Sequence, residues 1–206
     1  MVKLVLWRHG QTAYNAERRF QGHTDVPLNA VGLRQAAEAA RYLAALRPDV
    51  IYSSDLSRAS ATADALARLT GLSVQLDKDL RERHGGLWEN KTAAEIRELY
   101  PKEYAAWEPV EGETAATVAD RASAAMLRIA DNVEPGSLAV VVGHGAALSF
   151  GAARLLDIPD DVHALGPFGN CCWSVLARRH GKWRLLEHNV GILPEPVPGP
   201  EADDVE

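Results

Sequence analysis

Two histidines and two arginines stand where short apolar runs give way to polar residues. They are Arg8 and His9 in Leu6-Trp7-Arg8-His9-Gly10, Arg58 just beyond Ser53-Ser54-Asp55, and His144 in Val142-Gly143-His144-Gly145. A phosphoryl group in transfer carries negative charge on three equatorial oxygens, and guanidinium forks match such oxygens two at a time. A neutral imidazole is a competent nucleophile near pH 7, and the glycines beside each histidine let substrate and backbone approach closely. The set therefore predicts cleavage of a phosphate monoester with the phosphoryl group lodged on His9. No single residue carries this reading; the repeated strand-His-Gly pattern does. Two converging histidines also suggest a metal site, but no HExxH or Asp/His cluster accompanies them and the arginines would repel a cation. Departure of an alkoxide needs an acid, and Glu82, in Leu80-Arg81-Glu82-Arg83-His84, is the candidate. A carboxyl among cations stays protonated near neutral pH only in a partly apolar or phosphate-occupied setting.

These residues need elements that bring them to one rim. Val2 to Trp7 reads as a central parallel strand buried on both faces. Asn29 caps a helix to about Leu46, with Leu33, Ala36, Ala40 and Leu43 as its apolar stripe. Val50 to Ser53 is a second strand, Leu56 to Leu69 a helix stopped by Gly71, and Ser73 to Leu76 a third strand. Leu138 to Val142 followed by a helix from Ala146 to Leu156 repeats the pattern. Strands near Asn170 to Arg178 and Trp183 to Glu187, turning at His180-Gly181, close the chain as a hairpin. From about Arg83 to Glu134 the rhythm breaks; helices near Ala93 to Trp107 and Thr114 to Asn132 predict a cap. The expected fold is an α/β three-layer sandwich with a mostly parallel sheet, one antiparallel edge and a small helical cap. Ligands bind such sheets beyond the carboxyl ends of the strands, where His9, Arg58 and His144 stand.

The 206 residues suit one domain over 1–193, with the cap at about 83–134 as an insert. The segment from Pro194, rich in proline and acid, is expected to be a disordered tail. A net charge of -6 argues against general nucleic-acid or membrane-surface binding. No signal-like stretch or membrane span is evident, so a cytoplasmic protein is expected. Cys171 and Cys172, the only cysteines, are expected in mid-strand on opposite faces, unable to pair with each other.

Leu6-Trp7-Arg8-His9-Gly10-Gln11-Thr12 with Asn15 resembles the opening signature of the histidine phosphatase superfamily, in its phosphoglycerate-mutase-like branch. Further similar segments follow in that family's order: Gln21-Gly22, Pro27-Leu28-Asn29, Ser53 to Ala59, Leu80-Arg81-Glu82 with Gly86, Trp88 and Glu89, Gly112-Glu113-Thr114, Val142 to Gly145, and Asn170. Asn90 stands where the family often has Gly, and Thr114 where it has Ser. The resemblance implies that His9 becomes phosphohistidine while Arg8, Arg58 and His144 hold phosphoryl oxygens, with Asn15 and Ala146 also in the phosphate set. It implies that Glu82 protonates the leaving oxygen and then activates water, without a metal or organic cofactor. Within the superfamily the chain looks most like actinobacterial members, glucosyl-3-phosphoglycerate phosphatases and broad-specificity acid phosphatases among them.

The implied partners are a small phosphorylated metabolite and inorganic phosphate, with homodimerisation left open. Candidate substrate contacts are Gln21, Gly22, His23, Arg83, His84, Trp88, Glu113 and Phe168. A phosphoglycerate mutase is the first alternative. Mutases of the family carry a longer insert with paired arginines, whereas 61 residues separate Glu82 from His144 here and no Arg-Arg pair lies between them. A phosphate-binding protein without turnover is the second alternative, and such proteins usually lack a nucleophile, acid or clamp that this chain has.

Overall fold

The apolar run at the N-terminus forms strand β1 (Val2–Arg8), in which Leu4, Val5, Leu6 and Trp7 are fully buried because both faces are covered. The computed structural model describes residues 1–159 and 164–192, so the expected tail from Pro194 lies outside the described residues. After β1 come helices α1 (Ala13–Ala16) and α2 (Ala30–Ala45), strand β2 (Val50–Ser53), helix α3 (Ser57–Thr70) and strand β3 (Val74–Leu76). Helices α4 (Ala93–Leu99), α5 (Pro101–Ala105) and α6 (Ala115–Asp131) lead to strand β4 (Leu138–Gly143) and helix α7 (Gly145–Leu155). Strands β5 (Trp173–Arg179) and β6 (Lys182–Val190) follow.

The strands form one sheet in the order β3-β2-β4-β1-β5-β6. The first four in that order are parallel, while β5 runs antiparallel to β1 and β6 antiparallel to β5. His180 and Gly181 both have positive φ, 52° and 75°, as a two-residue primed hairpin turn requires. Helices α2 and α3 cover one face, setting Ala36, Ala40, Leu43, Ala63 and Leu66 against Val5, Trp7, Ile51 and Val140. Helices α6 and α7 cover the other, with Met126, Ile129, Leu148 and Ala152 against Leu4, Leu6 and Val141. The result is the expected α/β/α sandwich.

Four details differ from the sequence reading. Helix α6 belongs to a sandwich layer rather than the cap, because its stripe of Ala125, Met126 and Ile129 packs on the sheet beside α7. The cap is thereby shortened to the segment before α6, with α4, α5 and a 3-10 turn at Gly86–Trp88. The single helix expected from Ala93 to Trp107 is broken at Tyr100 (φ -136°, ψ 58°), since Pro101 drives its predecessor out of the helical region. Leu33 is 54% exposed, because α2 instead turns Gly32 and Gln35 inward. A Cβ on Gly32 would lie 2.1 Å from the Gln11 carbonyl oxygen, so only glycine lets the loop after β1 lie so close to α2. Cys171 and Cys172 stand just before β5 rather than within it; both are free thiols, and Cys171 has a positive φ of 56°.

Candidate active site

Register brings the chemistry together. Arg8 pairs with Gly143 and Ser53 with Val142, so β1, β2 and β4 end at one level. Beyond them the His9 amide still donates to the Gly143 carbonyl (3.0 Å), and the Ser54 amide to that of Val142 (2.9 Å). The buried rings of His9 and His144 come to 5.0 Å between centroids.

Nδ1 of His9 lies 2.7 Å from the carbonyl oxygen of Gly10. A carbonyl only accepts, so Nδ1 carries the ring proton and Nε2 keeps its lone pair. Burial, with Arg58 and Arg8 adding repulsion, holds the His9 pKa well below the ordinary 6.5. Gly10 is itself tied down: its amide donates to Thr62 Oγ1 (3.1 Å), whose hydroxyl donates to the Arg58 carbonyl (2.7 Å).

Arg58 is fully buried. Its Nε donates to His144 Nδ1 (3.2 Å), and its terminal nitrogens donate to the carbonyls of Thr24 (2.9 Å) and Gly22 (2.8 Å). Burial lowers its pKa to about 10, which leaves it cationic at neutral pH. Because His144 Nδ1 accepts from Arg58, the neutral ring carries its proton on Nε2, 2.9 Å from Ser54 Oγ. Burial first, then Arg58, His9 and Arg8, push the His144 pKa down as well. Arg8 donates to the Phe168 carbonyl, while its buried Nε has no hydrogen-bond partner among the described residues.

Glu82 reaches the same point from the other side. Its carboxylate accepts from the amides of Arg83 (2.9 Å), Ala147 (3.1 Å) and Ala146 (3.3 Å), the last two in the first turn of α7. Anions are favoured there by free amides and the helix dipole. A Cβ on Gly145 would meet both the Arg8 guanidinium carbon (3.6 Å) and Glu82 Oε2 (3.8 Å), so arginine, carboxylate and helix start converge. Asn15 Oδ1 accepts from the Asn170 amide (3.2 Å), which also donates to the His9 carbonyl (3.1 Å). The geometry thus offers an unprotonated ring nitrogen flanked by the buried guanidinium of Arg58 and the partly buried one of Arg8, with a carboxyl close by.

A family model of the histidine phosphatase superfamily (branch 1) matches residues 4–191. The chain belongs to the histidine phosphatase superfamily. It is 38% identical over 195 residues to a glucosyl-3-phosphoglycerate phosphatase of Mycobacterium tuberculosis, covering 88% of this chain and 86% of the relative. A probable phosphoglycerate mutase GpmB of Cronobacter sakazakii is 34% identical over 190 residues, 89% of this chain and 88% of that one. The solved structure of a mycobacterial glucosyl-3-phosphoglycerate phosphatase with VO3 superposes with a TM-score of 0.87 at 38% identity, covering 92% of this chain and 99% of that one. The protein is a phosphatase, and the mutase alternative is the less favoured.

In this histidine phosphatase the candidate substrate contacts divide by setting. His23 and His84 stack with centroids 5.0 Å apart; His23 Nε2 donates to the Glu82 carbonyl (2.8 Å), and the His84 ring is partly open to solvent. Gln21 accepts from the Thr12 hydroxyl (2.9 Å), and Gly22 contributes the carbonyl that Arg58 uses. Trp88 is enclosed among Phe20, Tyr104 and Trp107, and Phe168 is buried edge-on to His188. Arg83 is buried, with Nε on the Glu113 carbonyl (2.7 Å), and the Glu113 carboxylate is taken up by Arg121.

Sequence reasoning passed over Thr62 and Arg121. Thr62 stands one helical turn after Arg58 and could have been found by that spacing. Arg121 carries no local signal, because the three carbonyls it meets lie about forty residues upstream. Glu89 entered only as part of the resemblance, yet its carboxylate accepts from the amides of His23 (2.8 Å), Thr24 (2.9 Å) and Gly85 (3.0 Å). It fixes the loop whose carbonyls receive Arg58. Burial alone would raise its pKa, but the Thr24 hydroxyl and those amides outweigh it and hold the carboxyl below its ordinary 4.5. A carboxyl lowered on folding contributes stability present above the unfolded pKa and lost as pH falls through the folded one. Glu89→Gln is therefore expected to lower the melting temperature at pH 7, and the gap to wild type should close as the pH is taken below about 4. A gap that stays constant with pH would contradict this role.

Proposed function

We propose that the protein hydrolyses a small phosphorylated metabolite in two steps, and that glucosyl-3-phosphoglycerate is its substrate. Nε2 of His9 attacks phosphorus and the P–O bond to the leaving group breaks, with its electron pair going to the departing oxygen. Glu82 gives that oxygen a proton. Arg8, Arg58 and His144, with Asn15 and the Ala146 amide, hold the phosphoryl oxygens. In the second step Glu82 takes a proton from water, whose oxygen displaces His9 from phosphorus and releases inorganic phosphate. The carrying observation is the free Nε2 of a buried, neutral His9 between two guanidinium groups.

The substrate assignment is supported by the 38% identical phosphatase and by the similar structure that holds VO3, a compact oxyanion of the phosphoryl kind. A cytoplasmic setting belongs to the same proposal, since a phosphorylated and carboxylated metabolite does not cross a bilayer unaided. Among the described residues no helix is long and apolar enough to cross a membrane. Sugar phosphates, phosphoglycerates and nucleotides compared by kcat/KM test the assignment. Glucosyl-3-phosphoglycerate is expected to lead the panel. A flat profile would mark a broad phosphatase, and interconversion of 3- and 2-phosphoglycerate without phosphate release would mark a mutase.

A further inference from the structure

We propose that Arg121, countered by Glu113, is the positioning residue for the acid step, holding the chain segment that carries Glu82 in reach of the leaving oxygen. This rests on the reading of Glu82 as the acid. Glu82 lies in a stretch with little support of its own: after the 3-10 turn at Lys78–Leu80 the chain enters neither helix nor strand until Gly86. Carbonyls there have no ladder to enter, and Arg121 supplies donors to three of them, joined at the Glu82 carbonyl by His23 Nε2. One terminal nitrogen donates to the carbonyls of Asp79 (2.9 Å) and Arg81 (2.7 Å). The other donates to the Glu82 carbonyl (2.8 Å) and to Glu113 Oε2 (2.7 Å), and Nε donates to Glu113 Oε1 (2.7 Å). A guanidinium has five N–H donors, and here each has an acceptor.

The clamp closes from both sides. Glu113 Oε2 also accepts from the His84 amide (2.8 Å), so the second residue after the acid is tied to the same ion pair, while the Arg83 side chain holds the Glu113 backbone carbonyl. Both side chains are mostly shielded, 18% and 20% exposed, a setting where bidentate charge-assisted bonds are strong. Arg121 stands on α6, which is packed on the sheet, so the segment is referred to the layer that also carries α7 and Ala146. Loss of the clamp lets Glu82 drift by fractions of an ångström, and misplacement by about 1 Å costs on the order of a hundredfold in rate.

A positioning role for the acid has a signature that general loosening lacks. p-Nitrophenyl phosphate loses a stable phenolate and needs little protonation, whereas an alkyl phosphate such as 3-phosphoglycerate needs the proton. Arg121→Met is expected to lower kcat/KM by about 30-fold on 3-phosphoglycerate but by less than about 3-fold on p-nitrophenyl phosphate. Arg121→Lys, which keeps the charge without the fork, should recover part of the loss, and Glu113→Gln should show the same selectivity more weakly. If Arg121→Met does not fold, the lysine and glutamine variants carry the comparison. Equal losses on both substrates, or none, would overturn the proposal. Glu82→Gln is measured alongside. If it shows no dependence on the leaving group, the assignment of the acid is at fault and the proposal falls with it. If it shows that dependence and the Arg121 variants do not, the clamp alone is wrong.

Discussion

His9→Ala is expected to lower kcat/KM by about four orders of magnitude and to abolish the acid-labile phosphoenzyme seen in a single turnover with labelled substrate. His144 cannot take over. Its Nδ1 is occupied by Arg58 and its Nε2 carries the proton toward Ser54, so it presents no lone pair. The cations are untouched, so inorganic phosphate should still bind. The same arrangement fixes the pH dependence. Burial, Arg58 and Arg8 hold the His9 pKa well below 6.5, so the proposed nucleophile stays neutral in the free enzyme as the pH drops past that value. The acid limb of kcat/KM that belongs to His9 should accordingly lie below pH 6.5. Stability follows with the sign worked out: the folded state binds fewer protons than the unfolded one, so stability falls on acidification below about 6.5. The alanine variant should lose less there than wild type. Undiminished phosphate release by His9→Ala, or a phosphoenzyme that survives it, would remove His9 from the mechanism.

Much of this site was legible because its residues follow directly on strands. A run that is apolar but for Lys3 and ends in Arg-His-Gly reads as an interior strand delivering polar groups at its carboxyl end, and the register of β1, β2 and β4 then fixes which ends meet. What the pattern could not supply is long-range. The stripe Val118, Ala122, Ala125, Ile129 shows that α6 has a buried face but not that the sheet is what covers it, so α6 read as cap. Trp88 looked like a substrate contact by its place beside the acid segment, whereas three aromatic rings enclose it. Arg121 lay outside the reading altogether, because an arginine on an amphipathic helix looks the same whether it meets water or three carbonyls from elsewhere in the chain.

Arg58→Met is expected to cost about a thousandfold in kcat/KM, on the order of 4 kcal/mol of transition-state stabilisation, and to lower the melting temperature as well. The two effects have separate origins. The catalytic loss comes from removing a buried cation beside the phosphoryl oxygens, where low dielectric makes such a charge count most. The stability loss comes mainly from the buried Gly22 carbonyl, which Arg58 satisfies and methionine does not, at about 1–3 kcal/mol for an acceptor left unpaired, whereas the Thr24 carbonyl keeps the Val26 amide as a donor. A third effect runs through His144. With Nε of Arg58 gone, Nδ1 loses the donor that fixed the tautomer, and the ring loses a cation that had depressed its pKa. The His144 ring should then titrate at higher pH than in wild type, which an NMR titration of its ring protons would follow. Lysine is not expected to rescue. A single ammonium cannot span Gly22, Thr24 and His144 at once, so Arg58→Lys should regain some phosphate affinity while leaving His144 unanchored. Full recovery by lysine would show that charge alone matters at this position and that the three-way fork does not.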